Sequence, residues 1–216
     1  MTTLYKLTDR NGVTGSKYGA PLQWAAGVTY EIAAEDYRGI LCKAGIIHAY
    51  ESPLVAVFMK LIHANYKPAR LWRCETDAEV VREGQLKCGV RRLTCVEELP
   101  LPEIKTTARI RAAILCAWEV CDEPTWRAWA TKWLSGEDRS AESAERARMV
   151  EAWAWVAVGT DSAALAAEAA AEAEWAAPRV VAWVRTDSAL SAERAVDAKP
   201  ELNLHAIIER AIREES

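Results

Sequence analysis

Two histidines are the residues best suited by type to move protons in this chain. His48 lies in Ile47-His48-Ala49-Tyr50, and His63 follows fifteen residues later in Ile62-His63-Ala64-Asn65-Tyr66. An imidazole is the side chain that titrates nearest neutrality, so a pair of them suggests acid–base work or substrate positioning. Tyr30, His48, Tyr50 and His63, with Asn65 and Tyr66 close by in sequence, make one candidate pocket. The competing reading is structural. The sequence sets no carboxylate or thiol beside either imidazole, and a general base needs such a partner to orient it. Histidines hydrogen-bonded inside a small sheet are therefore the favoured reading. His205 belongs to a C-terminal helical segment.

The six cysteines, Cys42, Cys74, Cys88, Cys95, Cys116 and Cys121, contain no Cys-x-x-Cys pair. Several fall at apolar positions of expected strands and helices, where a reduced thiol packs like a small apolar side chain. No metal site is expected, because zinc needs a tighter ligand cluster, and disulfides need an oxidising compartment. Gly12-Val13-Thr14-Gly15-Ser16 lacks the lysine of a phosphate-binding loop. Neither a Gly-x-Ser-x-Gly elbow nor a His-Glu-x-x-His helix occurs. No cofactor is expected.

Lys60, Lys67, Arg70 and Arg73, with Arg91-Arg92, form modest basic spots beside Tyr66 and Trp72. They could hold a nucleic-acid strand, but a solvated strand face explains them better, so nucleic acid is an unlikely partner. Trp126, Trp129 and Trp133 recur at three- and four-residue spacing on one helical face. Such a stripe is more often core than contact surface; it is also the strongest candidate for a protein-binding anchor. Trp153 and Trp155, two apart on a helix, cannot share a face. One of them is expected to meet solvent or a partner, which makes a homo-oligomer through the helical region conceivable.

The elements that must position these residues come in two compositions. The chain has 216 residues, 51% apolar and 27% charged, with a net charge of −4. Residues 1–104 hold all six tyrosines, the only phenylalanine and eight of ten glycines. Residues 105–216 hold 29 alanines and eight of ten tryptophans. Aromatic and glycine-rich composition favours strands and turns, while alanine and glutamate favour helix. The expected fold is α+β: a small mixed β-sheet domain with one short helix over 1–104, then an all-α bundle or short helical repeat over 105–216. Pro100-Leu101-Pro102 marks the boundary.

Within the first region, Leu4–Thr8, Val28–Ile32, Gly45–Tyr50 and Arg70–Glu75 read as strands, and Asn11-Gly12 as a turn. Ser52-Pro53 predicts an N-cap and first helical residue. Leu86, Cys88 and Val90 sit at even positions, but Leu93, Cys95 and Leu99 at odd ones. A strand of period two cannot keep both sets on one face, so a bulge or bend is expected near Arg91-Arg92. In the second region, helices are expected from Thr106 or Thr107 and across the tryptophan stripe. Three similar starts follow at Asp138-Arg139-Ser140, Asp161-Ser162 and Asp187-Ser188, each read as a capped helix. No apolar run reaches the roughly 18 residues of a bilayer span. The first residues lack the pattern of a secretory signal, which points to a reducing cytoplasm.

Gly45-Ile46-Ile47-His48-Ala49-Tyr50-Glu51-Ser52-Pro53-Leu54 is similar to a motif of small uncharacterised bacteriophage and prophage proteins. That motif reads Gly-Phe-His, then Asn/Ser-Pro-Leu at a helix start. Here Ile47 takes the place of the phenylalanine, and Tyr50 stands near a position where cysteine is common. Arg70-Leu71-Trp72-Arg73-Cys74-Glu75 and Leu86–Leu99 resemble the family's following strands. The helical half, around Trp129-Ala130-Thr131-Lys132-Trp133, looks like alanine-rich tails of phage and toxin-immunity proteins. The resemblance implies an intracellular, non-enzymatic protein that binds a host or phage protein, with a defence system or toxin as its target. A second expectation is an ADP-ribosyltransferase-like enzyme, because a Gly-x-x-His strand, a capped helix and further strands follow that order. Tyr30, His48, Tyr50 and His63 would then line its nucleotide pocket, with Glu97 or Glu98 as late-strand acid. A virion structural role is a third.

Overall fold

A computed structural model describes residues 1–15, 21–41, 45–83, 86–151, 160–172 and 178–216. Side chains are described for these except 83, 148–151, 160, 161, 164, 172 and 178–183. The backbone divides into two compact units, Met1–Glu103 and Ile104–Ser216. The first holds strands β1 (Thr2–Asp9), β2 (Val13–Thr14), β3 (Leu22–Gln23), β4 (Thr29–Glu31) and β5 (Ile47–Ala49), then helix α1 (Pro53–His63). Strands β6 (Ala69–Thr76), β7 (Val81–Glu83), β8 (Lys87–Val90) and β9 (Arg92–Leu99) follow. The second unit holds α2 (Thr106–Trp118), α3 (Pro124–Ser135), α4 (Ala141–Glu151), α5 (Thr160–Glu172), α6 (Pro178–Ala198) and α7 (Leu204–Glu214). This is an α+β fold.

The strands build three small sheets, ordered β1-β6-β9-β4, β2-β3 and β5-β8-β7. Every described pairing is antiparallel, so the single mixed sheet expected from the sequence is not what forms. A parallel pair needs a long crossover within one sheet. The one helical connection, α1, instead joins β5 of the three-stranded sheet to β6 of the four-stranded one. Tyr5 and Tyr50 exchange backbone hydrogen bonds of 2.8 and 2.9 Å, which stitch β1 to the end of β5.

The parity break expected near Arg91-Arg92 is a change of sheet. β8 ends at Val90, Arg91 bends the chain, and β9 begins in the other sheet. A second irregularity lies within β9. Cys74 pairs with Cys95 but Arg73 pairs with Glu97, which leaves Val96 as an extra residue in a bulge. Leu4, Trp24, Ile47, Ala49, Trp72, Cys74, Cys88, Val90, Leu93 and Cys95 form one buried cluster that joins residues of both larger sheets. Gly89 on β8 lets Ile46 and Leu41 pack against the strand, because a Cβ there would collide with both side chains.

Local signals behave as their chemistry requires. Asp9 Oδ1 accepts from the amides of Asn11 and Val13, both at 2.8 Å, and Gly12 takes φ +81°. The Gly12 carbonyl accepts from Trp24 N at 2.7 Å, so this turn places the Trp24 ring. Ser52 Oγ accepts from Val55 N with Pro53 at the first helical position, which starts α1. Asn65, at φ +47°, follows its end.

In the second unit α2 is central, packed against α3, α5, α6 and α7. All its residues from Ala108 to Ala117 are buried. Ala113, Ala117, Ala144, Ala163, Ala166 and Ala170 lie in one cluster with Trp126, Trp129 and Trp133. Small residues let the helix backbones approach, and indole rings fill the remaining volume. A bundle results, and the repeated helix starts hold only in part. Asp138 and Ser140 do precede α4, with Ser140 Oγ accepting from Ser143 N at 3.3 Å. Ser162, by contrast, turns inward: its Oγ donates to the Ser191 carbonyl at 2.8 Å, while Ser191 Oγ donates to the Ser162 carbonyl at 2.7 Å. Asp187-Ser188 sits in the middle of α6 and starts nothing. A serine whose hydroxyl finds a carbonyl on the adjacent helix serves as a close-contact residue rather than a cap.

Arg111 is buried on α2 and fixes the C-terminal end of the chain. Its Nε donates to Glu215 Oε1 at 2.7 Å, Nη1 to Glu214 Oε2 at 2.9 Å and Nη2 to the Leu134 carbonyl at 2.8 Å. Arg139 donates to the same Glu215 and lies 4.5 Å over the Trp133 ring.

The burial of the tryptophans sets a stability test. Trp129→Ala should cost about 3–5 kcal/mol in denaturant unfolding, as expected for deleting a core indole. Trp126→Phe should cost more than Trp129→Phe. Trp126 Nε1 donates to the Ala163 carbonyl at 3.1 Å, whereas the buried Trp129 Nε1 has no hydrogen-bond partner among the described residues. Equal costs for the two phenylalanine variants would contradict this assignment.

Candidate functional site

The polar interior of the first unit is organised by a residue that sequence reasoning passed over. On β1, Leu4, Lys6 and Thr8 alternate onto one face, and all three are buried, Lys6 at 8% exposure. Lys6 Nζ donates to the His48 carbonyl at 2.6 Å and sits 5.2 Å from the centre of the Trp24 ring. Burial pushes its pKa down to about 8, with the thiols of Cys74, Cys95 and Cys88 pulling the other way. Thiols, rather than a carboxylate, are thus the ionisable groups that face this ammonium.

Tyr50 and His63 are in contact, and His48 lies near enough to His63 for their charges to interact. β5 carries His48, its end carries Tyr50, and the last turn of α1 carries His63. The Tyr50 and His63 rings stack with centroids 6.1 Å apart and planes 18° apart. Burial lowers His48 to about 4, helped by the charges of Lys6 and Lys87 and by His63. Burial also lowers His63 to about 4, with Lys87 adding to it. Tyr50 is pushed well above its ordinary value by burial, then by Tyr66 and Cys88. At neutral pH both imidazoles are therefore uncharged and the phenol is protonated.

Tyr30 does not join them. It sits on β4, the outer strand of the four-stranded sheet, and packs edge-on to Trp24 at 4.8 Å. Its hydroxyl donates to the Gln23 carbonyl at 2.8 Å and accepts from Gln23 N at 3.0 Å. Its role is to fasten the turn that carries Trp24. Glu97 and Glu98, the late-strand acids, are held by Arg73 at 2.7 Å and by Arg70 in a bidentate pair of 2.8 and 2.5 Å.

The remaining candidates are corrected by burial. Trp126, Trp129 and Trp133 are 0%, 7% and 2% exposed, so their rings fill the bundle core and offer no contact face. Trp153 and Trp155 lie outside the described residues, as does Cys42. The basic spots are also committed. Arg70 and Arg73 pair with Glu98, Glu97 and Glu75, Arg91 with Glu31, and Arg92 with Asp77. Trp72, 3% exposed, lies under Arg70 and is closed to a base. Among the described residues, no group of three or more His, Cys, Asp or Glu is placed to hold a metal ion.

A second feature appeared only in three dimensions. Cys74 and Cys95 stand opposite each other on β6 and β9 with Sγ atoms 3.2 Å apart, both fully buried. Either sulfur can donate in that contact; with Cys95 accepting, its thiolate is favoured, helped by the charge of Lys6, and Cys74 is pushed up. Burial pushes Cys88 up to about 12. All five described cysteines are buried, as thiols and not in disulfides.

The lowered imidazoles make stability depend on acid. Unfolded histidines bind a proton near pH 6.5, the folded ones only near pH 4. The unfolded chain therefore takes up more protons between those values, and stability falls as pH drops through that window. Each unit of lowering is worth at most about 1.4 kcal/mol. The urea midpoint should decline between pH 7 and pH 5, where most carboxylates stay ionised, and His63→Phe should flatten part of that decline. An unchanged slope in His63→Phe would mean that His63 takes its proton normally.

No protein-family model matches the chain, and neither a curated protein nor a solved structure is similar to it.

Proposed function

We propose that this chain works by binding another protein in the cytoplasm, as the resemblance of its Gly45–Leu54 stretch to a bacteriophage and prophage motif implies. Its partner is a host or phage protein, with a defence system or toxin as the target, and copies of the chain associate through the helical region. The observation that supports a binding role over an enzymatic one is the state of the imidazole cluster. His48, His63 and Tyr50 are packed together and titrate away from neutrality. A general acid–base pair works best with pKa values near the operating pH. Tyr30 and the two late-strand glutamates are tied up elsewhere, which removes the residues that a nucleotide pocket would share.

With Trp126, Trp129 and Trp133 buried, that stripe is not the contact surface. Among the described residues, Ile40 and Leu101 are, with Met1, the large apolar side chains left exposed. Ile40, at 57% exposure, lies in the irregular stretch after β4, next to the half-buried Tyr37. Long irregular segments that carry apolar side chains outward are frequent sites of recognition. We assign the contact to this stretch.

The test is capture from host lysate with the intact chain and with Ile40→Glu, alongside calorimetric titration with NAD. One stoichiometric partner, retained by the natural chain and reduced at least tenfold by Ile40→Glu at an unchanged melting temperature, is the expected result. Saturable NAD binding with no partner retained would overturn the proposal in favour of the enzyme.

A further inference from the structure

We propose that Cys74 and Cys95 form an oxidation site, at which a hydroperoxide converts the two thiols into a disulfide tying β6 to β9. Three independent features of the fold support this. The first is register. Cys95 N donates to the Val28 carbonyl, and the Cys95 carbonyl accepts from Gly27 N, so both backbone groups of Cys95 point away from β6. Cys74 and Cys95 are therefore a non-hydrogen-bonded antiparallel pair. Such pairs have the shorter Cα separation, about 4.5 Å, inside the range of about 4.4–6.8 Å that a disulfide accepts.

The second is side-chain position. The sulfurs stand 3.2 Å apart, and a disulfide bond measures about 2.0 Å, a gap that side-chain rotation can close without moving either strand far. The Val96 bulge beside Cys95 adds local twist and helps to turn that side chain toward its partner. The third is charge. Lys6 is a buried ammonium that faces the thiols of Cys74, Cys95 and Cys88 and the uncharged imidazole of His48. A cation in this setting stabilises a thiolate, which is the reactive form of cysteine. The other charged groups facing the pair are Arg73, beside Cys74, and Glu51 and Arg82, which face Cys88.

The chemistry balances. The Cys95 thiolate attacks one peroxide oxygen, an S–O bond forms, the O–O bond breaks, and the departing hydroxide takes up a proton to leave as water. Cys74 sulfur then displaces hydroxide from the Cys95 sulfenic acid, its own proton leaving with that hydroxide as a second water. The two thiols lose two electrons and two protons, and hydrogen peroxide gains both. Entry of the oxidant requires opening of the sheet edge. β4 is the outer strand there and has only three residues, which suits local fraying. Lys6 acts through Cys95 and is a positioning residue.

The experiment uses the full chain, reduced, freed of reductant and exposed to hydrogen peroxide, with thiols then counted under denaturing conditions. The count should fall by two from six. Trypsin should release the peptide Cys74–Arg82 joined to Leu93–Lys105, and dithiothreitol should separate them. All six thiols surviving while the exposed Met1 becomes sulfoxide would overturn the proposal. So would a cross-link that uses Cys88, Cys116 or Cys121 instead. Lys6→Met should slow disulfide formation at pH 7 by tenfold or more, and an unchanged rate would remove Lys6 from the site. The rate–pH profile of the natural chain checks the attacking sulfur without any variant. A half-maximal rate below the ordinary thiol value of about 8.5 is expected, and one above it would exclude a stabilised Cys95 thiolate.

Discussion

Burial of one ammonium is the constraint around which the first unit is arranged. Taking Lys6 out of water is costly, and the structure offsets that cost with what surrounds it. The His48 carbonyl accepts its hydrogen bond, the Trp24 ring lies against the cation, and the thiols of three strands face it. Each of these has further dependents. Trp24 is held by the Gly12 turn, by Thr14 Oγ1 at 2.8 Å and by the edge contact with Tyr30. His48 is held by pairing between β5 and β8. The same ammonium helps keep His48 uncharged at neutral pH.

The helical unit solves a different problem, which is how to make a dense core from a sequence with few large aliphatic residues. Alanine packs without losing side-chain entropy and allows close helix approach, but it leaves volume that three tryptophans fill. Serines at the tightest contact between α5 and α6 exchange hydrogen bonds with each other's carbonyls and so remain satisfied at close range. At the other side of α2, Arg111 and Arg139 converge on Glu215 with Trp133 beneath them. Removing Glu215 would leave two arginines short of a partner, one of them buried. This is the expensive way to break such a network.

Surface charge on the sheets is largely self-neutralised. Arg70, Arg73, Arg82, Arg91 and Arg92 each meet a carboxylate across a strand or turn. Exposed pairs of this kind contribute little to stability. Their consequence is for recognition, because they leave the sheets without a strong field of either sign and shift the burden of contact to exposed apolar residues.

Much of the architecture was legible in the chain itself. The change of composition near residue 104, the Asn11-Gly12 turn, the Ser52-Pro53 helix start and the break at Arg91-Arg92 all rest on local conformational preferences. Those act whatever the neighbours are. Burial of the cysteines and of the Trp126, Trp129, Trp133 stripe was legible too, from periodicity. The sequence could not say that Asp187-Ser188 continues a helix where Asp138-Ser140 begins one, since the same residues suit a cap or a close contact. Nor could it pair Cys74 with Cys95, which depends on strand order and on one bulged residue, or place Tyr30 away from His48. Lys6 was visible only as one residue of the Leu4–Thr8 strand, and its environment is assembled from β1, β5, β6, β8, β9 and the Trp24 turn. Local chemistry determined the elements and the face each must bury. Tertiary structure alone decided which buried groups face one another, because those contacts join residues far apart in the chain.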